Sequence, residues 1–562
     1  MDKIKFFALG GLDEEGKNCY CIEINNDIFV IEAGLKYAPS SQLGVDYHIP
    51  DNSYLIENKS RIKAYIISHA HDDQFGAIYN FLETAPAPVY CSDTTLSLIR
   101  YEYKKKYRQD FRYKYVLVEP SSDITIAGRK FKFFSTTHSA SHSFGFAIET
   151  DQGNIVYTGD FISDFASLPN FHFDFTKLTQ LGYNEKTFIL LCESTAANLE
   201  GISSPKHKVK HLIEKYFQNN EGKIYVATYT QHIYNLEEII SLVIEYKKKL
   251  LIVDNNFKTL IQYLNSSNNL MIPKENLVEL EDLPKNKNED IVVLLTGNGE
   301  DIYSLIKSVT HDEIKGIHID EKDTFILNCP SVPGTEVIYY DAVDSVYQTN
   351  CKVFNITRKI LSSMHAQEED IKMVLSILRP KYYIPVKGEY RKLMANAKIA
   401  LNMNIGLNHT NTFILDNGDV LTFENGKVTP KTDKVKTGDL LVEGLSVGDV
   451  NTTILNERTR MSQDGIIILG IAVSISKAQI VSLPDIQMRG CLYLKDSEEQ
   501  VKRINEIFFN TIKNMFTYKN IRAEDIEVKI EESIRKFMNK ELNKDPIITA
   551  NVFDIDRVKI IS

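Results

Sequence analysis

The chain is 562 residues long and carries 65 Lys and Arg against 75 Asp and Glu, a formal net charge of −10 at pH 7. Hydrophobic residues make up 43% and charged residues 25%, which is ordinary globular composition and excludes a disordered, collagen-like or disulfide-scaffold protein. A basic field over the whole protein is absent, so any site for a polyanion such as nucleic acid must be local.

Length and cysteine usage predict a large intracellular protein. At roughly 150 residues per domain, the length predicts three to four domains. The seven cysteines form no CxxC pair, which indicates reduced thiols. The first residues lack the apolar core of a signal peptide, and no apolar run approaches the roughly 18 residues of a membrane span. We therefore expect a soluble, multidomain protein of the cytoplasm.

The first 200 residues are predicted to be rich in β-strands. Alternating and continuous apolar runs, bounded by Gly, Asn and Asp, predict strands at 4–9, 19–24, 28–32, 64–68, 131–136, 144–149 and 154–158. The turn signal Asn25-Asn26-Asp27 predicts a hairpin between the second and third of these strands.

The pattern changes near residue 205. Helical periods then alternate with short apolar strands at 224–227, 250–253, 291–295 and 325–327, which predicts an α/β insert with a mostly parallel sheet. From about 351 the pattern of the first 200 residues returns, with strands predicted at 352–355 and 382–385 around a helix at 366–378. The tail from about 446 is predicted to hold strands at 466–474 and 479–482, two amphipathic helices, and a last strand at 547–553.

Four residues of the metal-ligating types follow predicted strands. His69 and His71 come directly after the strand at 64–68, His138 after 131–136, and Asp160 after 154–158. Two imidazoles two residues apart point the same way on an extended segment, and imidazole suits Zn²⁺. A lone HxH pair is more often structural than a ligand pair. Because four such residues end strands in one β-rich half, we interpret them as a zinc site.

These motifs resemble the metallo-β-lactamase superfamily and, more closely, ribonuclease J of its β-CASP branch. The matching segments run along the whole chain: GGLDEEGKN (10–18), LGVDYHIPD (43–51), IVYTGDF (155–161), LLCEST (190–195), SMHA (363–366), PVKGEYR (385–391), GLSVGDV (444–450), SQDGI (462–466) and PDIQMRG (484–490).

The resemblance implies an α/β fold and a domain layout. Residues 1–204 and 351–445 would form one αββα metallo-β-lactamase domain, 205–350 a β-CASP insert, and 446–562 a small C-terminal α/β domain used for assembly. The family hydrolyses RNA, as 5′→3′ exonucleases and as endonucleases, with two Zn²⁺ ions. On this pattern His69, His71, His138 and Asp160 hold the first metal, Asp73, Glu193 and His365 are catalytic, and Ser363 and His365 bind substrate.

Two residues depart from the family at the second metal site. Gln74 stands where the motif HxHxDH ends in histidine, and Lys387 replaces the histidine of PVHGEYR. A neutral amide is a poor zinc ligand, and a charged ammonium has no lone pair to donate. The first set therefore survives and predicts one zinc ion, whereas the second set is defective. We expect Lys387 to lie against Asp73 and Asp160 as a salt bridge in place of a cation.

Other family positions have also changed. Glu32 and Glu193 stand where the family usually has Asp, and Met364 replaces a Gly. The family's phosphate-binding loop is ASNIHR-like, but it reads TQHIYN here at 230–235. The family's TGSQGEP has become TGNGEDI at 296–302. Half of the 5′-phosphate pocket is thus altered.

The segment 100–114 combines seven Lys or Arg with five aromatic residues. One interpretation is a contact to the RNA backbone with rings available for stacking. The other is a solvated helix face with packed aromatics. The sequence leaves both open.

Three functional hypotheses follow. The first is a weakly active or non-catalytic RNA-binding subunit, in a homo-oligomer or paired with an active ribonuclease J paralogue. The second is an active exo- or endoribonuclease with a single zinc site. The third, a hydrolase of small molecules, is disfavoured because the insert and tail resemble a nuclease. Gln74 and Lys387 favour the first hypothesis over the second.

Overall fold

The computed structural model describes residues 1–39, 42–266, 270–332, 334–429, 433–448, 452–491 and 497–557. The chain divides into two compact units, one of residues 1–37 and 47–440 and the other of residues 38–46 and 441–562. Among the described residues, no helix combines the length and apolar character that a membrane crossing requires. The seven cysteines are buried free thiols. The last two residues of the segment 444–450 lie outside the described residues.

The first part of the larger unit is mainly β-structure, as predicted. Its strands are Ile4–Gly10 (β1), Cys19–Ile24 (β2), Asp27–Ile31 (β3), Lys36–Tyr37 (β4), Tyr47–Pro50 (β5), Ile62–Ile67 (β6), Val89–Cys91 (β7), Tyr115–Leu117 (β8), Asp123–Ile126 (β9), Arg129–Ser135 (β10), Phe144–Ile148 (β11), Asn154–Tyr157 (β12) and Thr187–Glu193 (β13). Its helices are Ser53–Glu57 (α1), Asp72–Phe75 (α2), Ile78–Thr84 (α3), Asp93–Tyr107 (α4) and Phe175–Asn184 (α5).

The insert is an α/β layer. It comprises Lys210–Gln218 (α6), Ile224–Tyr229 (β14), Ile233–Glu245 (α7), Lys249–Ile252 (β15), Asn255–Ser266 (α8), Ile291–Gly297 (β16), Asp301–Thr310 (α9), Thr324–Asn328 (β17), Glu336–Tyr347 (α10) and Lys352–Asn355 (β18). The strands are parallel in the order β15-β16-β14-β17-β18, which confirms the predicted parallel sheet.

One sequence-based assignment is wrong. The strand at 352–355 was predicted to belong with the metallo-β-lactamase part, but β18 pairs parallel with β17 at the edge of the insert's sheet. The physical reason is the crossover through α10, which returns the chain beside the strand it has just left. The insert's sheet therefore continues past residue 350.

The chain after the insert completes the sheets of the first part. It contributes Glu368–Leu378 (α11), Tyr382–Val386 (β19), Tyr390–Asn402 (α12), Asp419–Glu424 (β20), Lys427–Val428 (β21) and Asp433–Lys434 (β22). One sheet runs β21-β20-β1-β2-β3-β6-β7-β8, and the other runs β19-β13-β12-β11-β10-β9. Segments far apart in sequence thus meet at the same sheet edges.

The two sheets face each other across an apolar core. Phe29 and Phe131, from β3 and β10, meet in this core with ring centroids 5.2 Å apart. On the outer side of the second sheet, Phe134 and Val156 pack with residues of α5, α11 and α12. On the outer side of the first sheet, the Tyr65 ring contacts Phe81 of α3. This is the predicted αββα arrangement.

The smaller unit has its own core. The strand Asp439–Glu443 (β23) leads into this unit. The elements that follow include Ser446–Val447 (β24), Thr452–Asp464 (α13), Ile466–Ser474 (β25), Gln479–Ile480 (β26), Asp485–Arg489 (β27), Ser497–Met515 (α14), Ala523–Leu542 (α15) and Ile547–Asp554 (β28). Alternate residues of β25 and β28 pack against α14 and α15, while the opposite face of these strands carries the exposed Ile468 and Phe553.

Candidate metal centre

Four side chains that the sequence singles out come together at the ends of strands. His69 follows β6, His71 precedes α2, His138 follows β10, and Asp160 follows β12. One ligand atom of each lies within 4.8 Å of the others. His69, His138 and Asp160 are buried and His71 is half-buried. The fold thus assembles the predicted first-metal set.

The ring nitrogens of the cluster are oriented as metal ligands require. Nδ1 of His138 donates to the carbonyl oxygen of Met364 at 2.6 Å, which leaves the Nε2 lone pair facing Nδ1 of His71 at 3.3 Å. Among the described residues, Nε2 of His69 has no hydrogen-bond partner, and it lies 3.4 Å from Oδ2 of Asp160. Ring nitrogens that converge around a carboxylate oxygen in this way fit a cation.

The imidazoles of the cluster are neutral. Burial lowers the pKa of His69 and of His138 well below the ordinary value, and it lowers the pKa of His71 to about 4. Neutral imidazole is the form that binds metal, and three imidazoles with one carboxylate are donors of the types that suit Zn²⁺. These residues therefore fit one transition-metal ion.

Lys387 lies against both carboxylates of the second ligand set, which the sequence predicts to be defective. Its Nζ is 2.9 Å from Oδ2 of Asp73 and forms a closer ion pair with Oδ2 of Asp160. Burial alone would lower the pKa of this ammonium, but the carboxylates of Asp160 and Asp73 raise it above the ordinary value. Burial would also raise the pKa of Asp160, but the Lys387 ammonium holds it well below the ordinary value. The predicted salt bridge is thus present and charged.

The neighbours of Asp73 are nitrogen donors rather than metal ligands. Nδ2 of Asn18 donates to Oδ2 of Asp73 at 3.0 Å, and Nε2 of the fully buried Gln74 lies 3.4 Å from the same oxygen. In the part of the chain that the structure describes, Asp73 belongs to no cluster of three close His, Cys, Asp or Glu ligand atoms. An ammonium and two amides surround the carboxylate where a second ion would need imidazoles.

Glu193 and His365 form a second group beside Asp160. Oε2 of Glu193 lies 2.8 Å from Nδ1 of His365, while its Oε1 accepts the backbone N–H groups of Phe161 and Ala366. Although burial lowers the pKa of His365, the Glu193 carboxylate raises it above the ordinary value. Because the Glu193 oxygens are already bonded, this group is a hydrogen-bond network that positions His365. Ser363 is half-buried in the same loop.

Two contacts at the site were missed by the sequence analysis. Ser139 Oγ lies 3.1 Å from Nε2 of His71. The backbone carbonyl of Ser139 accepts the N–H of Tyr234, which belongs to the altered loop at 230–235. Asn18, the last residue of the segment 10–18, directly precedes β2, and its side chain contacts Asp73. For Ser139 the adjacency to His138 was an available signal. For Asn18 only the tertiary fold brings the two residues together.

Glu32 is a buried carboxyl beneath the ligand loop. It accepts the Ser68 N–H at 3.1 Å and the Tyr157 hydroxyl at 3.1 Å, and Ser68 Oγ in turn lies 2.9 Å from Nδ1 of His69. Burial raises the pKa of Glu32 to about 8, against its ordinary 4.5. The protonated carboxyl is thus favoured in the folded protein.

We expect Glu32→Gln to raise the free energy of unfolding at pH 8 and to change it much less at pH 5. A carboxyl whose folded-state pKa is raised binds a proton that the unfolded chain has already lost, so wild-type stability falls as pH rises from about 4.5 through about 8. Glutamine keeps the shape without titrating. Urea unfolding of both proteins at the two pH values measures this, and equal differences at both would contradict it.

Four family models match successive parts of the chain. They describe the metallo-beta-lactamase superfamily (residues 12–178), the ribonuclease J beta-CASP domain (221–346), a Zn-dependent metallo-hydrolase RNA specificity domain (354–405) and the ribonuclease J C-terminal domain (453–555). Two of these models are specific to ribonuclease J, and they lie in the expected order. The chain belongs to the ribonuclease J family.

Full-length relatives agree with this assignment to the ribonuclease J family. Ribonuclease J2 of Bacillus subtilis (strain 168) is 29% identical over 554 residues, covering 99% of both chains. Ribonuclease J 2 of Staphylococcus aureus (strain NCTC 8325 / PS 47) is 29% identical over 556 residues, covering 98% of both. The family models also imply a metal cofactor, which matches the His and Asp cluster.

A solved structure shares the fold. The crystal structure of a protein of unknown function from Enterococcus faecalis V583 aligns with a TM-score of 0.52 at 13% identity, covering 75% of this chain and 100% of that one. At this identity the likeness concerns the fold alone.

Proposed function

We propose that this ribonuclease J family member binds RNA in the cytoplasm and hydrolyses it weakly or not at all, acting as a subunit beside an active paralogue. The observation that carries this proposal is the Lys387 ammonium, which is ion-paired to Asp73 and Asp160 where the family's second metal would need ligands. The match to a domain described as setting RNA specificity supports RNA as the substrate class and disfavours a small-molecule hydrolase.

The residues of the site have distinct proposed roles. His69, His71, His138 and Asp160 would hold one Zn²⁺. A bound zinc ion would supply Lewis acidity toward a phosphoryl oxygen and a water. Lys387 supplies one fixed positive charge beside Asp73, and Glu193 holds His365 in place through the 2.8 Å contact. Ser363 and His365 would bind the phosphate of RNA.

A second candidate is a one-metal ribonuclease of normal activity, either exo- or endonucleolytic. The intact first-metal set favours it, because one zinc ion can activate water by itself. An assay on 5′-monophosphorylated RNA separates the two. Our proposal expects RNA binding with turnover far below that of an intact family member. Turnover equal to such a member, and abolished by His71→Ala, would instead establish the one-metal ribonuclease.

We expect His71→Ala to reduce bound zinc from about one ion per chain to almost none. The variant leaves two imidazoles and the Asp160 carboxylate, whose Oδ2 is already ion-paired to Lys387, so the remaining ligands hold the ion poorly. Elemental analysis of protein dialysed against trace zinc measures the content. His172→Ala is the matched control, because His172 is exposed and contacts Ser135 rather than the cluster. Stoichiometric zinc in His71→Ala would contradict the ligand assignment.

We also propose that the C-terminal unit mediates association. Ile468 is 38% exposed and Phe553 is 62% exposed on the face of the β25–β28 pair opposite α14 and α15. Large apolar side chains exposed on one sheet face are typical of a surface that binds another protein. Charged residues introduced on this face would be buried without partners in an assembly.

Ile468→Glu with Phe553→Glu is therefore expected to convert an oligomer into a monomer. Light scattering coupled to size exclusion measures the mass. Val528→Glu is the control, because Val528 is 57% exposed on α15, away from this sheet face. An unchanged oligomeric mass in the double variant would show that another surface assembles the protein.

A further inference from the structure

A small pocket lies at the C-terminal end of α4, within the segment that combines basic and aromatic residues. It has a volume of about 180 Å³ and is lined by Tyr79, Glu83, Tyr103, Tyr107, Gln109, Arg112 and Tyr113. We call it the tyrosine pocket. It belongs neither to the metal cluster nor to the Glu193 and His365 network.

The rings of the tyrosine pocket pack against one another. The centroids of Tyr103 and Tyr107 are 4.8 Å apart, and that of Tyr79 lies 5.6 Å from Tyr103. Tyr79 and Tyr103 are buried, whereas Tyr107 and Tyr113 are half-buried. The phenol of Tyr79 donates to the carbonyl of Ile99 at 3.2 Å, which fixes its ring. The pocket thus has a rigid aromatic base and an aromatic wall that solvent reaches.

Five of the seven residues that line the tyrosine pocket come from a segment rich in basic residues. Segment 100–114 holds seven Lys or Arg and two Asp or Glu, in a chain whose net charge is −10. The Arg112 guanidinium lies 5.5 Å from the centroid of the Tyr113 ring, at the exposed side. A local positive field of this kind attracts a polyanion and repels a cationic side chain of a partner protein.

The pocket is too small for a whole drug-sized ligand, since pockets for such ligands span roughly 300–1,000 Å³. A single planar base fits its size and its aromatic lining. Glu83 and Gln109 supply a carboxylate and an amide that can bond to the polar edge of a base.

We propose that the tyrosine pocket binds one nucleobase of a single-stranded RNA, with Arg112 and neighbouring basic side chains on the adjoining phosphates. This inference rests on the proposed RNA-binding function and assigns a base-stacking site separate from the metal centre. Stacking on tyrosine tolerates any base, so the site contributes affinity more than sequence selectivity.

The test measures binding and contact on the full-length protein. A fluorescein-labelled single-stranded RNA carrying 5-iodouridine is titrated in fluorescence anisotropy and then photocrosslinked. Tyr107→Ala is expected to weaken binding about tenfold. Arg112→Ala should weaken binding and reduce its salt dependence. Tyr183→Ala is the control, because Tyr183 is 89% exposed and lies outside the pocket. In wild type, mass spectrometry should place crosslinks on Tyr107 or Tyr113.

The outcomes separate this inference from the proposed function. Wild type that fails to bind RNA overturns both. Wild type that binds RNA, with equal affinity in Tyr107→Ala and Tyr183→Ala and crosslinks only elsewhere, overturns the tyrosine pocket alone. If circular dichroism shows Tyr107→Ala to be unfolded, the exposed Arg112→Ala and the crosslink positions decide. Saturation of the pocket by an arginine-rich peptide, with no RNA crosslink there, would assign it to a protein partner and also overturn the inference.

Discussion

Lys387→Met is expected to lower the free energy of unfolding of the metal-free protein by about 3–5 kcal/mol. Lys387 is only 7% exposed and Asp160 only 1%. Removing the ammonium leaves the carboxylates of Asp160 and Asp73 close to each other without their cation. Such uncompensated buried charge costs far more than an exposed pair contributes. Urea unfolding at pH 7 in the presence of a chelator measures the change.

A matched lysine tests whether the effect is specific to burial. Lys285 forms an ion pair with Asp282, but the two side chains are 76% and 49% exposed. Lys285→Met is expected to leave the unfolding midpoint unchanged, because solvent screens the pair. If Lys387→Met also leaves it unchanged, Lys387 does not neutralise the two carboxylates.

Gln74→His combined with Lys387→His is expected to raise the rate of RNA hydrolysis by about a hundredfold or more. Gln74 already faces Asp73 at 3.4 Å, and Lys387 contacts both Asp73 and Asp160. Two imidazoles at these positions would complete a second ligand set bridged by Asp160. A second ion stabilises charge that develops on the phosphate, and losing one such stabilising group typically costs about 10²–10³ in rate.

The single variants show whether the two histidines act together. Either change alone leaves one position of the second ligand set without a ligand, so each single variant is expected to recover little activity. Recovery in the double variant should stay below that of an intact family member, because the loop at 230–235, which contacts Ser139 through Tyr234, retains its altered sequence. The measurement is decay of a 5′-monophosphorylated oligonucleotide by the four proteins. A double variant no faster than wild type would show that the missing second ligand set does not limit the rate.

Much of the fold followed from local sequence pattern. Apolar periodicity placed the strands around the ligand loops to within about two residues, and it identified the parallel insert. The strand at 352–355 was assigned to the wrong sheet, because periodicity defines a strand but not its partner. The positions of His69, His138 and Asp160 at strand ends were also enough to predict that these residues lie close together.

The remaining features of the site depend on tertiary structure. The ion pair of Lys387 with Asp73 and Asp160 followed from the family resemblance, but its backbone φ of +61° did not follow from any local pattern. The contact of Asn18 with Asp73 joins segments 55 residues apart. The tyrosine pocket likewise unites Tyr79 of α3 with the end of α4, so the sequence left its aromatic residues open to two interpretations.

We propose that the buried Lys387 ammonium takes the place of a second metal ion. The most direct test is an anomalous-difference map of crystals grown with excess zinc. We expect a single zinc peak among His69, His71, His138 and Asp160, with Lys387 Nζ still against Asp73 and Asp160. Two zinc peaks bridged by Asp160, with Lys387 displaced from both carboxylates, would contradict the account.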